Sequence, residues 1–280
     1  MIRSVVRRNM FDALASSYDT PWKVARSQEV AEIISSRPWF RSGDRLLDVG
    51  AGTGLLTFAM EPHFKQLTAF DTSAGMLDVL NKKLADSTSN KVLTVCVSCA
   101  SSNEALSKEP FHWEMRTSPM ADFCRVLVGS SGDNPSRAAS ALFFRPRVSY
   151  QISTSMGPIS SLGKYDLIVS LLAFHHVKDF VALANELHNN LRPGGRLVVA
   201  DLVAGDDVRL FHKPWQVCGE HYEYDGFTEQ QFRDMFGSGY ASYDEHRLVI
   251  RKKVDSEWKS EHGELDFVLA VASSEKRTEV

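Results

Sequence analysis

The sequence predicts an α/β fold, a mostly parallel sheet with helices on both faces. Three observations predict it: apolar runs of strand length alternate with segments of helical periodicity, the first such run ends in clustered glycines, and the chain closes on two strand-like runs with little helix between them. Leu46-Leu47-Asp48-Val49 is the first run, ended by Gly50-Ala51-Gly52-Thr53-Gly54, after which apolar residues continue through Leu55, Leu56, Phe58, Ala59 and Met60. The pattern reads as strand, tight glycine turn and helix. Leu67 to Phe70 is a second strand that stops at Asp71, and Ser73 is placed to cap a helix from about Ala74 to Ala85. Lys91 to Val97 is a candidate third strand. The alternation resumes with Tyr165 to Leu172 as strand, Phe180 to Leu191 as helix, Pro193-Gly194-Gly195 as turn and Arg196 to Leu202 as strand. A helix around Thr228 to Phe236 precedes Tyr243 to Val254 and Leu265 to Ala272, which are expected to form an antiparallel edge. Upstream, Lys23 to Ser35 carries helical spacing with Thr20-Pro21 as its start, so residues 1–40 are expected to form a helical lid.

The pattern fails between Ser98 and Gly163. This stretch holds five of the ten prolines and fourteen serines without a long amphipathic repeat, where connections in such folds run a few residues. Three readings are open: a flexible surface insertion, a small ordered substrate cap, or sequence foreign to the working fold, such as an imperfect gene assembly. Composition favours the first and third, and most of Ser101 to Ser161 is expected to be poorly ordered and to lie outside the sheet. The whole of 1–280 is then one domain with an irregular insertion at 98–163.

Composition narrows the function. With 32 Lys and Arg against 35 Asp and Glu, a formal charge of −3, the chain lacks the basic excess of a protein that grips a phosphate backbone by bulk charge. Its longest nearly apolar run, Leu167 to Phe174, falls short of the ~20 residues that cross a bilayer. Arg3, Arg7 and Arg8 precede any acid, but no apolar core or small-residue cleavage site follows, so no secretory signal is expected; the expected location is cytoplasmic, with a mitochondrial presequence as the weaker alternative. Four cysteines are too few for a disulfide framework in 280 residues and are expected as reduced thiols.

The glycine turn carries the chemistry. Residues without Cβ let the backbone turn sharply and approach a ligand closely. A dehydrogenase fingerprint would need a small residue at Leu55 or at Thr57, and both registers fail. Asp71, at the end of the next strand, stands where an acid can bridge two ribose hydroxyls; its plainer role is a helix N-cap. Together the two features point to a nucleoside-containing cofactor.

Asp48-Val49-Gly50-Ala51-Gly52-Thr53-Gly54 resembles the glycine motif of class I S-adenosylmethionine-dependent methyltransferases. Phe11-Asp12 through Ser17-Tyr18-Asp19, Asp71-Thr72-Ser73-Ala74-Gly75-Met76-Leu77, Tyr165 to Ser170 with Ala173-Phe174-His175-His176-Val177, and Leu191-Arg192-Pro193-Gly194-Gly195 are similar, in order, to segments of the ubiquinone/menaquinone-biosynthesis-like small-molecule methyltransferases. The resemblance implies a Rossmann-like seven-stranded sheet with an antiparallel last strand and S-adenosyl-L-methionine as cofactor. It also implies cofactor-binding roles for Tyr18, Asp48, Gly50, Gly52, Gly54, Asp71, Thr72, Met76 and Ser170, with Met76 against the adenine. In that family the third strand normally ends in an acid that binds the adenine amino group. Here the exit reads Ser98-Cys99-Ala100-Ser101-Ser102, and the contact is unassigned among Ser101, Asn103 and Glu104. The fourth-strand exit, Ser170-Leu171-Leu172-Ala173-Phe174, lacks the Asn/Asp-Pro-Pro-Tyr/Phe of base-amine methylation, and no aspartate follows until Asp179. The resemblance therefore implies a small-molecule acceptor, no nucleic acid and no catalytic metal.

His175 and His176 sit where the acceptor should approach, and an imidazole of pKa ~6.5 can take a proton from a hydroxyl. Their plainer role is packing beneath the strand. The expected activity is in-line methyl transfer to a small molecule. The alternative is a methyltransferase-like protein that binds the cofactor without turnover and acts through a partner. Trp215, His221, Tyr222, Tyr224 and Phe227 form an aromatic-rich segment after the fifth strand, where such folds shape a substrate pocket.

Overall fold

The computed structural model describes residues 10–97, 114–116, 149–154, 162–212, 222–254 and 263–277. Its strands are β1 (Gly43–Val49), β2 (Phe64–Asp71), β3 (Val92–Val97), β4 (Glu114–Arg116), β5 (Ser149–Thr154), β6 (Tyr165–Leu171), β7 (Leu191–Leu202), β8 (Tyr240–Lys253) and β9 (Glu264–Lys276). The helices are α1 (Met10–Leu14), α2 (Pro21–Ser36), α3 (Leu55–Met60), α4 (Ala74–Asp86), α5 (Phe180–Asn189) and α6 (Glu229–Met235), with 3-10 turns at Ala15–Ser17, Glu61–His63, Phe174–His176 and Val208–Phe211. All lie in or around one sheet of order β4-β5-β3-β2-β1-β6-β7-β9-β8.

Seven of these strands, β3-β2-β1-β6-β7-β9-β8, match the expected set. β1 pairs in parallel with β2 and β6, β2 with β3 and β6 with β7, while the last strand, β9, runs antiparallel to both β7 and β8. The other two strands correct the expectation for the insertion. β5 adds in parallel to β3 through Thr94↔Ser149 to Val97↔Ile152, and β4 pairs antiparallel with β5, so part of 98–163 extends the sheet. β4 is only three residues long and the alternation of Tyr150 and Ile152 in β5 is short, and the pairing of both depends on an edge that β3 leaves open. The expected poor ordering of 101–161 otherwise falls outside the described residues, as do Cys99, Cys124, Cys218 and the candidate adenine contacts Ser101, Asn103 and Glu104.

Adjacent residues of the central strands supply opposite faces. Leu46, Leu167, Val169 and Val198 pack with Val30 and Ile34 of α2 and Leu56 and Met60 of α3. Leu47, Ile168, Leu197 and Val199 pack with Phe180, Ala184 and Leu187 of α5 and Phe232 and Met235 of α6. This period of two, apolar on both faces, is why β1, β6 and β7 read as continuous apolar runs; each fully buried Leu, Ile or Val contributes about 1.5–3 kcal/mol. α2 is therefore a layer of the core.

Side-chain caps fix the starts of α4, where the sequence indicated Ser73, and of α6. Ser73 Oγ accepts from the Met76 N–H at 3.2 Å, and Thr228 with Gln231 forms a reciprocal capping box at the start of α6. No helix among the described residues is long and apolar enough to cross a membrane.

Candidate active site

The carboxyl ends of β1, β2 and β6 meet at one place, the position at which open parallel sheets take ligands. There the chain after β1 turns through Gly50 (φ +74°), Gly52 (φ +55°) and Gly54 (φ +83°), conformations that L side chains rarely adopt. The backbone N–H groups of Gly50 and Ala51 both donate to the Phe70 carbonyl, at 2.8 and 3.1 Å, which ties the loop to the end of β2. The three glycines then differ. A Cβ at Gly50 would lie 2.4 Å from Ala173 Cβ, and one at Gly54 would lie 2.3 Å from Leu80 Cδ1, whereas one at Gly52 would meet nothing within 4 Å. Gly50 and Gly54 are needed for packing, and Gly52 alone presents bare backbone to open space.

Asp71 controls that backbone. Its Oδ2 accepts from the Gly52 N–H at 2.7 Å and its Oδ1 from the Ser73 N–H at 2.8 Å. Burial raises its proton affinity, opposed by backbone donors from Ser73, Gly52 and Thr72. Ser73, not Asp71, caps α4. Asp48 lies beneath the loop, 1% exposed, accepting from Thr57 Oγ1 at 2.6 Å. Burial, reinforced by the charge of Asp71, pushes its carboxyl up to about 7.

The N-terminal segment is strapped over the loop. Asp12 Oδ1 accepts from Ser73 Oγ at 2.6 Å and from the Gly75 N–H at 2.8 Å, and the absence of a side chain at Gly75 lets the Asp12 backbone come this close. Asp19 is held by Thr53 Oγ1 and by the Lys83 ammonium, whose Nζ also donates to the Thr53 carbonyl at 2.7 Å. Between these anchors Tyr18 reaches the cleft with the Lys23 ammonium 3.3 Å from its ring centroid. Burial, then Asp71 and Asp19, push the Tyr18 phenol up to about 12. The cleft is open to solvent and is lined by Tyr18, Trp22, Lys23, Asp48, Gly52 and Leu172 among others.

Three further expected residues take supporting positions. Ser170, 1% exposed, donates its hydroxyl to the Val49 carbonyl at 2.8 Å and so locks the end of β6 to β1. Met76 is 2% exposed within α4, and Thr72 is an exposed residue of the β2–α4 turn.

His175 and His176 occupy the 3-10 turn after β6, their rings 4.1 Å apart. His175 is buried, with Nδ1 2.7 Å from Oδ1 of Asp201, itself fully buried at the end of β7. Asp201 Oδ2 also accepts from the His175 backbone N–H at 3.1 Å. His212 lies 5.2 Å from the His175 ring and stacks on Tyr222 at 3.9 Å, while His176 meets Phe11 edge-on at 5.2 Å. Burial first, then the neighbouring His175, His176 and Lys252, pushes the His212 imidazole down to about 2. Trp22 and Phe211 carry this aromatic wall from the cleft to His212.

Sequence reasoning missed Asp201 and His212. Asp201 had a readable signal, one carboxylate inside the apolar run Leu197 to Val203; His212 had none, because only folding brings residues 175, 201 and 212 together. No group of three or more His, Cys, Asp or Glu placed to hold a metal occurs among the described residues. Cys96 is a buried free thiol.

Asp48 yields a stability prediction. Its folded pKa lies above the ordinary carboxylate value, so the native state holds the proton more tightly than the unfolded chain. The resulting stabilisation is present at low pH and is lost as pH rises from about 4 towards 7, by at most about 4 kcal/mol. Asp48→Asn, which keeps an acceptor for Thr57, removes that loss. Denaturant titration is expected to find the variant more stable than the parent at pH 8 and nearly equal to it at pH 4.

A family profile described as a methyltransferase domain matches residues 22–238. An uncharacterised methyltransferase of Schizosaccharomyces pombe is 27% identical over 227 residues, which are 80% of this chain and 61% of that protein. A demethylmenaquinone methyltransferase of Clavibacter sepedonicus is 33% identical over 87 residues, 27% of this chain and 32% of that protein. The chain thus spans less than two thirds of the length of these relatives. Among solved structures, the YcgJ protein of Bacillus subtilis aligns with a TM-score of 0.54 at 13% identity over 91% of this chain and all of that one. A phosphoethanolamine N-methyltransferase of Haemonchus contortus, in complex with S-adenosyl-L-methionine, aligns with a TM-score of 0.51 at 11% identity over 91% of this chain and 53% of that one. At such identities the likeness is one of fold.

Proposed function

The chain belongs to the methyltransferase domain family, whose enzymes depend on S-adenosylmethionine, and we propose that it moves the methyl group of that cofactor to a small-molecule acceptor. The observation that carries the reading is the cradle at Gly52: bare backbone facing open space, with Asp71 behind it and Tyr18 across it. A nucleoside with an amino-acid tail fits the donor set. A carboxylate has about four acceptor sites and Asp71 spends three of them on the backbone donors of Gly52, Ser73 and Thr72, which leaves it able to accept from a ribose hydroxyl. Asp48 supplies negative potential beneath the loop, and Tyr18 and Trp22 supply ring faces. Met76 and Thr72 are assigned to the adenine side of the cradle, Ser170 to support of its floor, and Gly50 and Gly54 to its shape. The cofactor, when bound, supplies a methyl group already activated by positive sulfur.

The residues of this chain then act by alignment and exclusion of water, and the acceptor side is the wall that contains His175 and His176. Residues 1–40 are read as the cover of the site and 98–163 as an insertion that leaves its chemistry in place. The expected calorimetric result is that S-adenosylhomocysteine binds and NAD does not, because neither glycine register meets the dehydrogenase spacing. Tighter binding of NAD would sink the reading. Transfer of a labelled methyl group into a small-molecule metabolite extract tests turnover, and binding without any transfer would leave the non-catalytic alternative standing.

A further inference from the structure

We propose that Asp201 is a positioning residue that fixes His175 as its Nδ1–H tautomer, so that Nε2 of His175 takes the proton released by the acceptor as it is methylated. The inference rests on the reading of the chain as a methyltransferase and names the proton-accepting pair of that site.

Asp201 is 0% exposed, and its bonds are specific in direction. Oδ1 lies 2.7 Å from His175 Nδ1 and accepts from the Leu202 N–H at 2.8 Å, while Oδ2 accepts from the His175 N–H at 3.1 Å. A carboxylate among backbone donors can only accept, so the ring must donate its Nδ1–H and leave the Nε2 lone pair free on the side away from Asp201. A carboxylate behind the ring also stabilises the imidazolium that forms when Nε2 takes a proton.

The surroundings set His175 apart from its neighbours. The rings that cover it are those of His176, His212 and Tyr222. Tyr222 directs its hydroxyl to Asp225 at 2.9 Å, away from the imidazoles. Burial and two nearby imidazoles hold His212 neutral, while the ring of His175 is backed by Asp201. The His175 carbonyl accepts from the Glu223 and Tyr224 N–H groups at 2.9 and 3.1 Å, which fixes the backbone of the pair against the segment that forms the opposite wall. His175 is 2% exposed, so its imidazole is desolvated.

The balance follows. The acceptor's lone pair forms the new bond to the methyl carbon, the carbon–sulfur bond breaks with its electron pair left on sulfur, and the acceptor's X–H bond breaks to Nε2. The pair is left as imidazolium against carboxylate. The acceptor is thereby a protic nucleophile, a hydroxyl or an N–H group, rather than a carboxylate or a thioether, which have no proton to give.

The test uses the full chain and the variants Asp201→Asn, Asp201→Glu and His175→Gln, the last serving to assign the His175 signals. Long-range ¹H–¹⁵N spectra are expected to show His175 protonated on Nδ1 and bare on Nε2 in the parent. Asp201→Asn, whose amide can donate to Nδ1, is expected to invert the tautomer, and Asp201→Glu to restore it in part. Methyl transfer into the metabolite extract should fall by about 100-fold or more in Asp201→Asn, by analogy with the ~10⁴ loss when a carboxylate behind a catalytic imidazole becomes an amide. Affinity for S-adenosylhomocysteine is expected to stay at the parent value. A parent His175 protonated on Nε2, an unchanged tautomer in Asp201→Asn, or transfer equal to the parent in that variant overturns the proposal. Failure of S-adenosylhomocysteine to bind the parent chain would instead overturn the underlying reading, and the tautomer measurement requires no cofactor.

Discussion

Alanine substitution of the three glycines is expected to separate fold from binding. Gly52→Ala should abolish measurable cofactor affinity at a modest cost in stability, whereas Gly50→Ala and Gly54→Ala should damage the fold itself. All three backbones are left-handed, which costs a residue with Cβ roughly 1–2 kcal/mol. At Gly52 that is the whole penalty, because the added methyl meets nothing within 4 Å; it projects instead into the open space proposed for the cofactor. At Gly50 the methyl overlaps Ala173 Cβ at 2.4 Å and at Gly54 it overlaps the buried Leu80 at 2.3 Å. Overpacking of this kind adds roughly 1–3 kcal/mol, so these two variants should lose about 2–5 kcal/mol in all. Paired denaturant titrations and S-adenosylhomocysteine calorimetry check the contrast. Equal loss of stability at all three positions, or full retention of binding by Gly52→Ala, would show that Gly52 faces no ligand.

Asp71→Ala is expected to weaken cofactor binding by ~1.5–3 kcal/mol, through loss of charge-assisted hydrogen bonds to the ribose. The structure adds a second consequence. Asp71 also accepts from the Gly52, Ser73 and Thr72 N–H groups, so its removal deprives these donors near the loop of their acceptor and costs roughly 1–3 kcal/mol of stability. Asp71→Asn keeps one acceptor oxygen and should recover part of the stability while remaining weak in binding. Calorimetry with S-adenosylhomocysteine at a temperature well below the midpoint of unfolding separates the two effects. An unchanged dissociation constant in Asp71→Ala would reduce the residue to a tie between two turns.

The fold and half of the site were legible in the sequence because their signals are local. The apolar doublets Leu46-Leu47, Leu167-Ile168 and Val198-Val199 announce strands buried on both faces, and the clustered glycines announce a turn that side chains could not make. Ser73, Thr20-Pro21 and Thr228 with Gln231 mark helix starts by chemistry confined to a single turn. Asp71 could be placed from its distance along the chain, since one β-α-β unit brings it back to the glycines.

Tertiary structure decided the rest, where partners come from distant segments. β5 joins the sheet only because β3 offers an open edge, a condition invisible in the composition of 149–154. The sequence distinguished Gly50, Gly52 and Gly54 from other residues but not from one another; Ala173 and Leu80, more than a hundred and more than twenty positions away, assign two of them to packing and leave the third facing open space. His175 and His176 were equivalent as neighbouring imidazoles until β7 placed Asp201 behind one of them. Local periodicity sets which elements form, because it acts through neighbouring backbone and side chains. Side-chain chemistry is set by what long-range packing buries against each group, since desolvation and a partner's charge act through space and not along the chain.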